Sequence, residues 1–213
     1  MTKIWEQPIP DEYEKKIMEK ISCHAGSILL DFGAGYGRYL DVFSKYFEKK
    51  NLYGMEIDKD ALKELERKGY NCYEADPNRP EIPFENDFFD YIFTSNVIEH
   101  IPKAQYHGYL REFHRVLKGG GTLIIGTPNY PAKRFYDIAK AFKTGQFKYY
   151  FFDDPTHVNK LYYNRLENDL KKIFPTVELN PTYILLENKI KWINNHRNQL
   201  ICFADKVIGI CKK

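Results

Sequence analysis

The stretch Ile28-Leu-Leu-Asp31-Phe-Gly33-Ala-Gly35-Tyr-Gly37-Arg38 decides how this chain reads. A short apolar run breaks into glycines at alternate positions, and a helical pattern follows. That is the signature of a buried strand, a tight turn and a helix whose N-terminus faces a ligand. Glycine serves where the backbone takes positive φ or where a ligand approaches with no Cβ in the way. The unpaired N–H groups of a helix start then favour a polar or anionic group. The spacing departs from the dinucleotide turn G-x-G-x-x-G, whose third glycine would fall where Arg38 stands. It reads D-x-G-x-G-x-G, with Asp31 two residues ahead of Gly33.

On both sides of the turn, strand and helix patterns alternate. Tyr13, Ile17 and Ile21 lie at helical spacing and predict an amphipathic helix over Asp11 to Ile21. Ile28 to Phe32 is the first strand, followed by a helix to about Phe47. Asn51 to Ile57 and Asn71 to Ala75 read as strands around a helix over Lys59 to Lys68, and Phe89 to Ser95 as a buried strand. A helix over Gln105 to Leu117 is expected to stop at Gly119, Gly120 and Gly121, ahead of a fifth strand over Thr122 to Gly126. Such alternation predicts an α/β fold, a Rossmann-like, doubly wound, mostly parallel sheet flanked by helices, with ligands beyond the carboxyl ends of the strands. A helix over Tyr162 to Phe174 follows. Leu186, Ile190 and Ile193, then Leu200, Phe203 and Val207, suggest two further amphipathic helices near the C-terminus.

A chain of 213 residues fits a single domain over 1–213. Its core spans about 26–128, an aromatic-rich lid insert about 129–160 and a C-terminal helical part about 161–213. The formal charge of +3 argues against nucleic acid as an obligate partner. Four scattered cysteines form no C-x-x-C pair, which suits thiols in a reducing compartment. No apolar run approaches the roughly 20 residues of a membrane span, so a cytoplasmic protein is expected. Contact with a membrane surface and a homodimer stay open.

Glu56 closes the second strand about 20 residues past the turn, where a carboxylate can accept both hydrogen bonds of a ribose diol. Asp58 suits the cap of the next helix. Asp76 ends the third strand, placed either to accept from an adenine amino group or to make an Asx-type turn before Pro77. Downstream come Ile82-Pro-Phe84, Phe89-Asp90, Ser95-Asn-Val-Ile-Glu99-His100, Arg115-Val-Leu-Lys-Gly-Gly and Thr127-Pro-Asn129. Together with the glycine turn, this series resembles the class I S-adenosylmethionine (SAM) dependent methyltransferases over Ile28 to Asn129, with a looser echo from Asp154-Pro-Thr-His157-Val to Phe174.

The resemblance implies SAM as methyl donor and S-adenosylhomocysteine as product. Asp31, Gly33, Gly35 and Gly37 would hold the methionine part, Glu56 the ribose and Asp76 the adenine. Asn96 would line the pocket through its backbone carbonyl. An oxygen acceptor also needs a base, for which histidine is best placed in pKa. His100, after strand four, and His157, in the lid, are the candidates, while His107 and His114 suit a solvent-facing helix. Some methyltransferases of this kind bind a divalent ion through an E-x-x-E-H run plus further histidines. Here Asn96-Val-Ile-Glu99-His100 has one carboxylate where that run has two, which leaves only Glu99, His100 and His157 as ligands, so no metal is expected.

In the lid, Phe135, Ile138 and Phe142 predict a helix packed on the core with lysines in solvent. The run Tyr149-Tyr-Phe-Phe152 cannot face one core entirely. The implied activity is methyl transfer to an oxygen of a small molecule, sugar or lipid-linked intermediate. An RNA methyltransferase or RNA-binding protein using the basic aromatic insert, and a non-catalytic SAM-binding domain, are the competing readings.

Overall fold

The computed structural model describes residues 17–21, 24, 26–182, 192, 195–196 and 198–213. Residues 11–16 of the helix expected over Asp11 to Ile21 lie outside these residues, as do Leu186, Ile190 and Ile193. The chain forms β1 (Leu29–Phe32), α1 (Arg38–Phe43), β2 (Leu52–Glu56), α2 (Lys59–Arg67), β3 (Asn71–Glu74) and β4 (Phe89–Ser95). Then come α3 (Lys103–Val116), β5 (Leu117–Pro128), α4 (Ala132–Thr144), α5 (Phe147–Tyr150), α6 (Tyr163–Lys171), β6 (Thr176–Pro181) and β7 (Lys206–Lys212). The seven strands form one sheet in the order β3-β2-β1-β4-β5-β7-β6. The first five in that order run parallel, and β7 is antiparallel to both β5 and β6. Strand order reverses between β1 and β4, which places a crevice at their carboxyl ends.

Successive strand residues point to opposite faces, so each central strand feeds two cores. Leu30, Ile92, Leu123 and Ile125 pack with Tyr109, Phe113, Leu166 and Leu170 of α3 and α6 on one face. Leu29, Phe93 and Ile124 pack with Leu40, Phe43 and Leu65 of α1 and α2 on the other. The uninterrupted apolar run of β1 follows from this double burial. Among the described residues, no helix is long and apolar enough to cross a membrane.

Three expectations are corrected. The glycines after α3 do not stop a helix ahead of a separate strand, because α3 ends at Val116 and passes straight into β5. Leu117 pairs with Phe89 and Thr122 with Tyr91, so Lys118 to Gly121 bulge against Asp90. A Cβ on Gly121 would lie 2.9 Å from the Lys118 carbonyl oxygen and 3.1 Å from that of Asp90, which explains glycine there.

The chain does not end in a helix either. Val207 begins the buried run of β7, and only Ile201–Phe203 forms a 3-10 turn. The helical spacing of Leu200, Phe203 and Val207 is coincidental: Phe203 is exposed in the turn, whereas Val207 to Cys211 is covered on both faces.

Finally, α4 does not turn its aromatic stripe inward: Phe135 and Phe142 are 71% and 68% exposed. Its buried residues are Ala132 and Ala141. Lys133 and Arg134, with side chains 17% and 23% exposed, reach Asp137 and Asp153 instead. These paired charges occupy the inner side and leave the rings outside.

Candidate active site

The glycine turn folds over the end of β2. Gly33 and Ala34 donate N–H to the Met55 carbonyl at 2.8 and 3.0 Å. Gly33, Gly35 and Gly37 all have positive φ, at 81, 52 and 81°. A Cβ on Gly33 would fall 2.2 Å from Val97 Cγ2, whereas one on Gly35 would meet no atom within 4 Å. Gly33 therefore serves the packing of the turn on the segment after β4, and Gly35 keeps space open. Gly37 is the N-cap of α1.

Glu56 reaches back to this turn. One carboxylate oxygen accepts the Gly35 N–H at 2.7 Å, and the other accepts the N–H groups of Ile57 at 2.7 Å and Asp58 at 3.1 Å. Asp58 caps α2 as its position in the sequence suggests, accepting from Asp60 and Ala61. Asp31 is 1% exposed, and its Oδ2 has no hydrogen-bond partner among the described residues. Burial, reinforced by the charge of Glu56, pushes its carboxyl well above the usual 3.8.

A cleft of about 810 Å³ opens at the carboxyl ends of β1, β2 and β4, lined among others by Phe32, Gly33, Met55, Glu56, Asn96 and His100. Asn96 takes a left-handed turn, φ 57°, as its N–H donates to the Gly126 carbonyl at 2.9 Å. Asp76 sits at the rim: Oδ1 accepts the Asn78 N–H at 2.9 Å in the Asx-type turn, and its neighbours Ala75 and Pro77 line the wall. The Tyr109 hydroxyl holds this rim through the carbonyl oxygens of Asp76 and Arg79.

Across the cleft the lid brings His157 to His100, with ring centroids 4.7 Å apart. A carboxylate oxygen of Glu99 and one nitrogen of each ring lie within 4.8 Å of one another, a set able to hold a metal ion. Glu99 is fully buried. Its Oε2 accepts from the Thr127 hydroxyl at 3.1 Å, and its Oε1 has no partner among the described residues. Burial raises the Glu99 carboxyl and, with the charge of His100 adding to it, lowers the His157 imidazole. The lid also adds Thr156 and Val158 to the cleft wall. Asn129 fixes the lid's base, donating to the Ile201 and Ala204 carbonyls and accepting from the Tyr163 N–H.

Sequence reading weighed Glu99 only as part of an incomplete metal-ligand set and passed over Tyr130. Glu99 stands inside a quoted motif, and only its burial marks it out. The Tyr130 hydroxyl lies 2.5 Å from His157 Nδ1, a contact across the lid that spacing does not reveal.

Parallel sheet, reversed strand order, glycine turn and acidic strand ends together are the arrangement of the class I SAM-dependent methyltransferase fold. Residues 30–125 match the family described as "Methyltransferase domain". A SAM-dependent methyltransferase from Archaeoglobus fulgidus has a similar structure, with a TM-score of 0.69 at 18% identity over 95% of this chain and 94% of that one. One from Mesorhizobium loti gives 0.62 at 14% identity over 93% and 96%. In sequence, the demethylmenaquinone methyltransferase of Bacillus pumilus is 27% identical over 126 residues, 56% of this chain and 53% of that protein. The chain spans about half the length of the curated relatives it matches.

The residues present fit the donor of this family. SAM carries an ammonium that suits the unpartnered oxygen of buried Asp31, and a ribose diol that suits Glu56. The space beside Gly35 is room a side chain would fill.

Proposed function

We propose that this protein transfers a methyl group from SAM to an oxygen of a small molecule, sugar or lipid-linked intermediate. One observation carries the reading: a single cleft joins the glycine turn and Glu56 at one side to Asn96 and His100 at the other. Donor-binding and acceptor-handling groups thus face the same space.

In this reading Asp31 pairs with the methionine ammonium and Glu56 exchanges its turn hydrogen bonds for the ribose. Asn96 offers its carbonyl, and Asp76 meets the adenine from the rim. When bound, SAM would supply an activated methyl to the acceptor oxygen, whose proton would pass to a base at the cleft. The protein contributes alignment and exclusion of water, worth on the order of 7–11 kcal/mol in well-oriented reactions. His100 and His157, with Glu99 beside them, are the groups that act on the acceptor hydroxyl.

The lid supports an acceptor carried at an apolar surface. Phe142, Phe147, Phe151 and Phe152 are exposed and touch in succession, at centroid distances of 5.2, 6.3 and 5.6 Å. From Ile138 to Phe152 the chain has three lysines and no acidic residue. This pattern suits contact with an anionic membrane surface, and the same insert supplies Thr156 and Val158 to the cleft.

The test is transfer of labelled methyl from SAM to a panel of sugars, phenols, lipid-linked glycans and RNA. Label on a hydroxyl compound supports the reading. Label on RNA alone, or SAM binding with no turnover on the panel, would contradict it.

A further inference from the structure

We infer that Glu99, His100 and His157 form a site for one divalent transition-metal ion at the acceptor side of the cleft. This departs from the metal-free site expected on sequence, where the carboxylate count decided. The inference rests on how the hydrogen bonds leave the three side chains. His100 Nδ1 lies 3.2 Å from the Thr156 carbonyl oxygen, which can only accept, so Nδ1 carries the proton and Nε2 a bare lone pair. The Tyr130 hydroxyl donates to Asp153 Oδ1 at 3.1 Å and so must accept from His157 Nδ1, 2.5 Å away. His157 Nε2 is therefore bare as well. Asp154 Oδ2, 3.8 Å from it, is beyond hydrogen-bond reach. Glu99 completes the set with Oε1, an oxygen in a fully buried side chain with no partner among the described residues.

A buried carboxylate oxygen without a donor is costly, and an oxygen of this same carboxylate lies within 4.8 Å of a nitrogen of each imidazole. A cation answers all three lone pairs at once. Each imidazole is held from behind by a carbonyl or by a Tyr–Asp pair, as metal-binding histidines are. Two imidazoles and one carboxylate suit zinc, cobalt, iron or manganese better than magnesium or calcium. Three protein ligands also leave coordination positions free, and one of them, His100, lines the cleft. Lys206 adds positive charge near Glu99 from β7, although burial lowers its pKa, and its Nζ donates to Ser95 Oγ at 2.9 Å.

The ion's role rests on the methyl-transfer reading: it would hold the acceptor hydroxyl and make it more acidic. Its binding does not rest on that reading. The test titrates Co²⁺ into the full chain in a Cys202→Ser background, which removes an exposed thiol, and follows the visible cobalt spectrum and the stoichiometry. One Co²⁺ per chain with a nitrogen-ligated spectrum is expected. His100→Ala, His157→Ala and Glu99→Gln should each weaken it about tenfold or more, and Tyr130→Phe by a similar factor through His157. Absence of one-to-one binding in the parent protein, or binding unchanged in all the ligand variants, would overturn the site. SAM calorimetry on the same samples separates the two ideas: SAM bound without cobalt defeats only the metal, and cobalt bound without SAM defeats only the donor.

Discussion

Asp31 is held in the fold at a cost that a ligand can remove. Its carboxyl is raised by burial and by Glu56, so its favourable contribution is full below the ordinary 3.8 and is lost as pH rises through the raised folded value. At neutral pH the free protein therefore carries a strained group. Asp31→Asn should raise the melting temperature of the ligand-free protein by about 2–4 °C and flatten that loss with pH. It should also weaken SAM about tenfold or more, in line with a charged hydrogen bond. A lower melting point with unchanged SAM affinity would show the aspartate to be structural. The two glycines nearby should separate in the same way. Gly33→Ala drives a Cβ into Val97 and should lose about 1–3 kcal/mol in urea unfolding. Gly35→Ala should lose about 1 kcal/mol from its left-handed φ but lose most of its SAM binding by calorimetry.

Between elements, Arg115 and Glu112 of α3 clamp the loop that leads from the rim of the cleft to β4. Arg115 donates to the carbonyl oxygens of Ile82 and Phe84 and to Glu112, while Glu112 accepts the Ile82 N–H. The motif around Arg115 is thus a brace, not a catalytic group. Arg115→Ala should cost about 1–2 kcal/mol in urea unfolding, the side chain being one-third exposed. The hydrogen bond from Arg115 chiefly holds the Glu112 carboxyl below its ordinary 4.5. The clamp's contribution is present above that value and is lost as pH falls through the lowered one. Arg115→Ala should therefore show less acid-side loss of stability than the parent. At this scale, local patterns read well wherever one element meets one core: β4 runs from Phe89 to Ser95 as expected, and α2 starts at its Asp58 cap. They read poorly where the partner is distant in sequence. The glycines at 119–121 answer a close approach to Asp90 across the sheet, and the outward rings of α4 reflect ion pairs with Asp153 beyond that helix.

For the whole molecule, the five parallel strands and the site at their ends were legible because the glycine turn, Glu56 and the Glu99-His100 run each sit at a strand terminus. The antiparallel β7 and β6 were not, since Val207 to Cys211 is a strand only by virtue of β5 and β6 on either side. Glu99, His100 and His157 could be named together from the sequence as an incomplete ligand set, but their approach within one site depends on how the lid returns over β4. The account stands or falls on the cleft being a SAM pocket. Calorimetry of the full chain with SAM, S-adenosylhomocysteine and NAD in parallel tests that directly. One SAM and one S-adenosylhomocysteine per chain with no NAD binding is the predicted result, and tight NAD binding without SAM would contradict it.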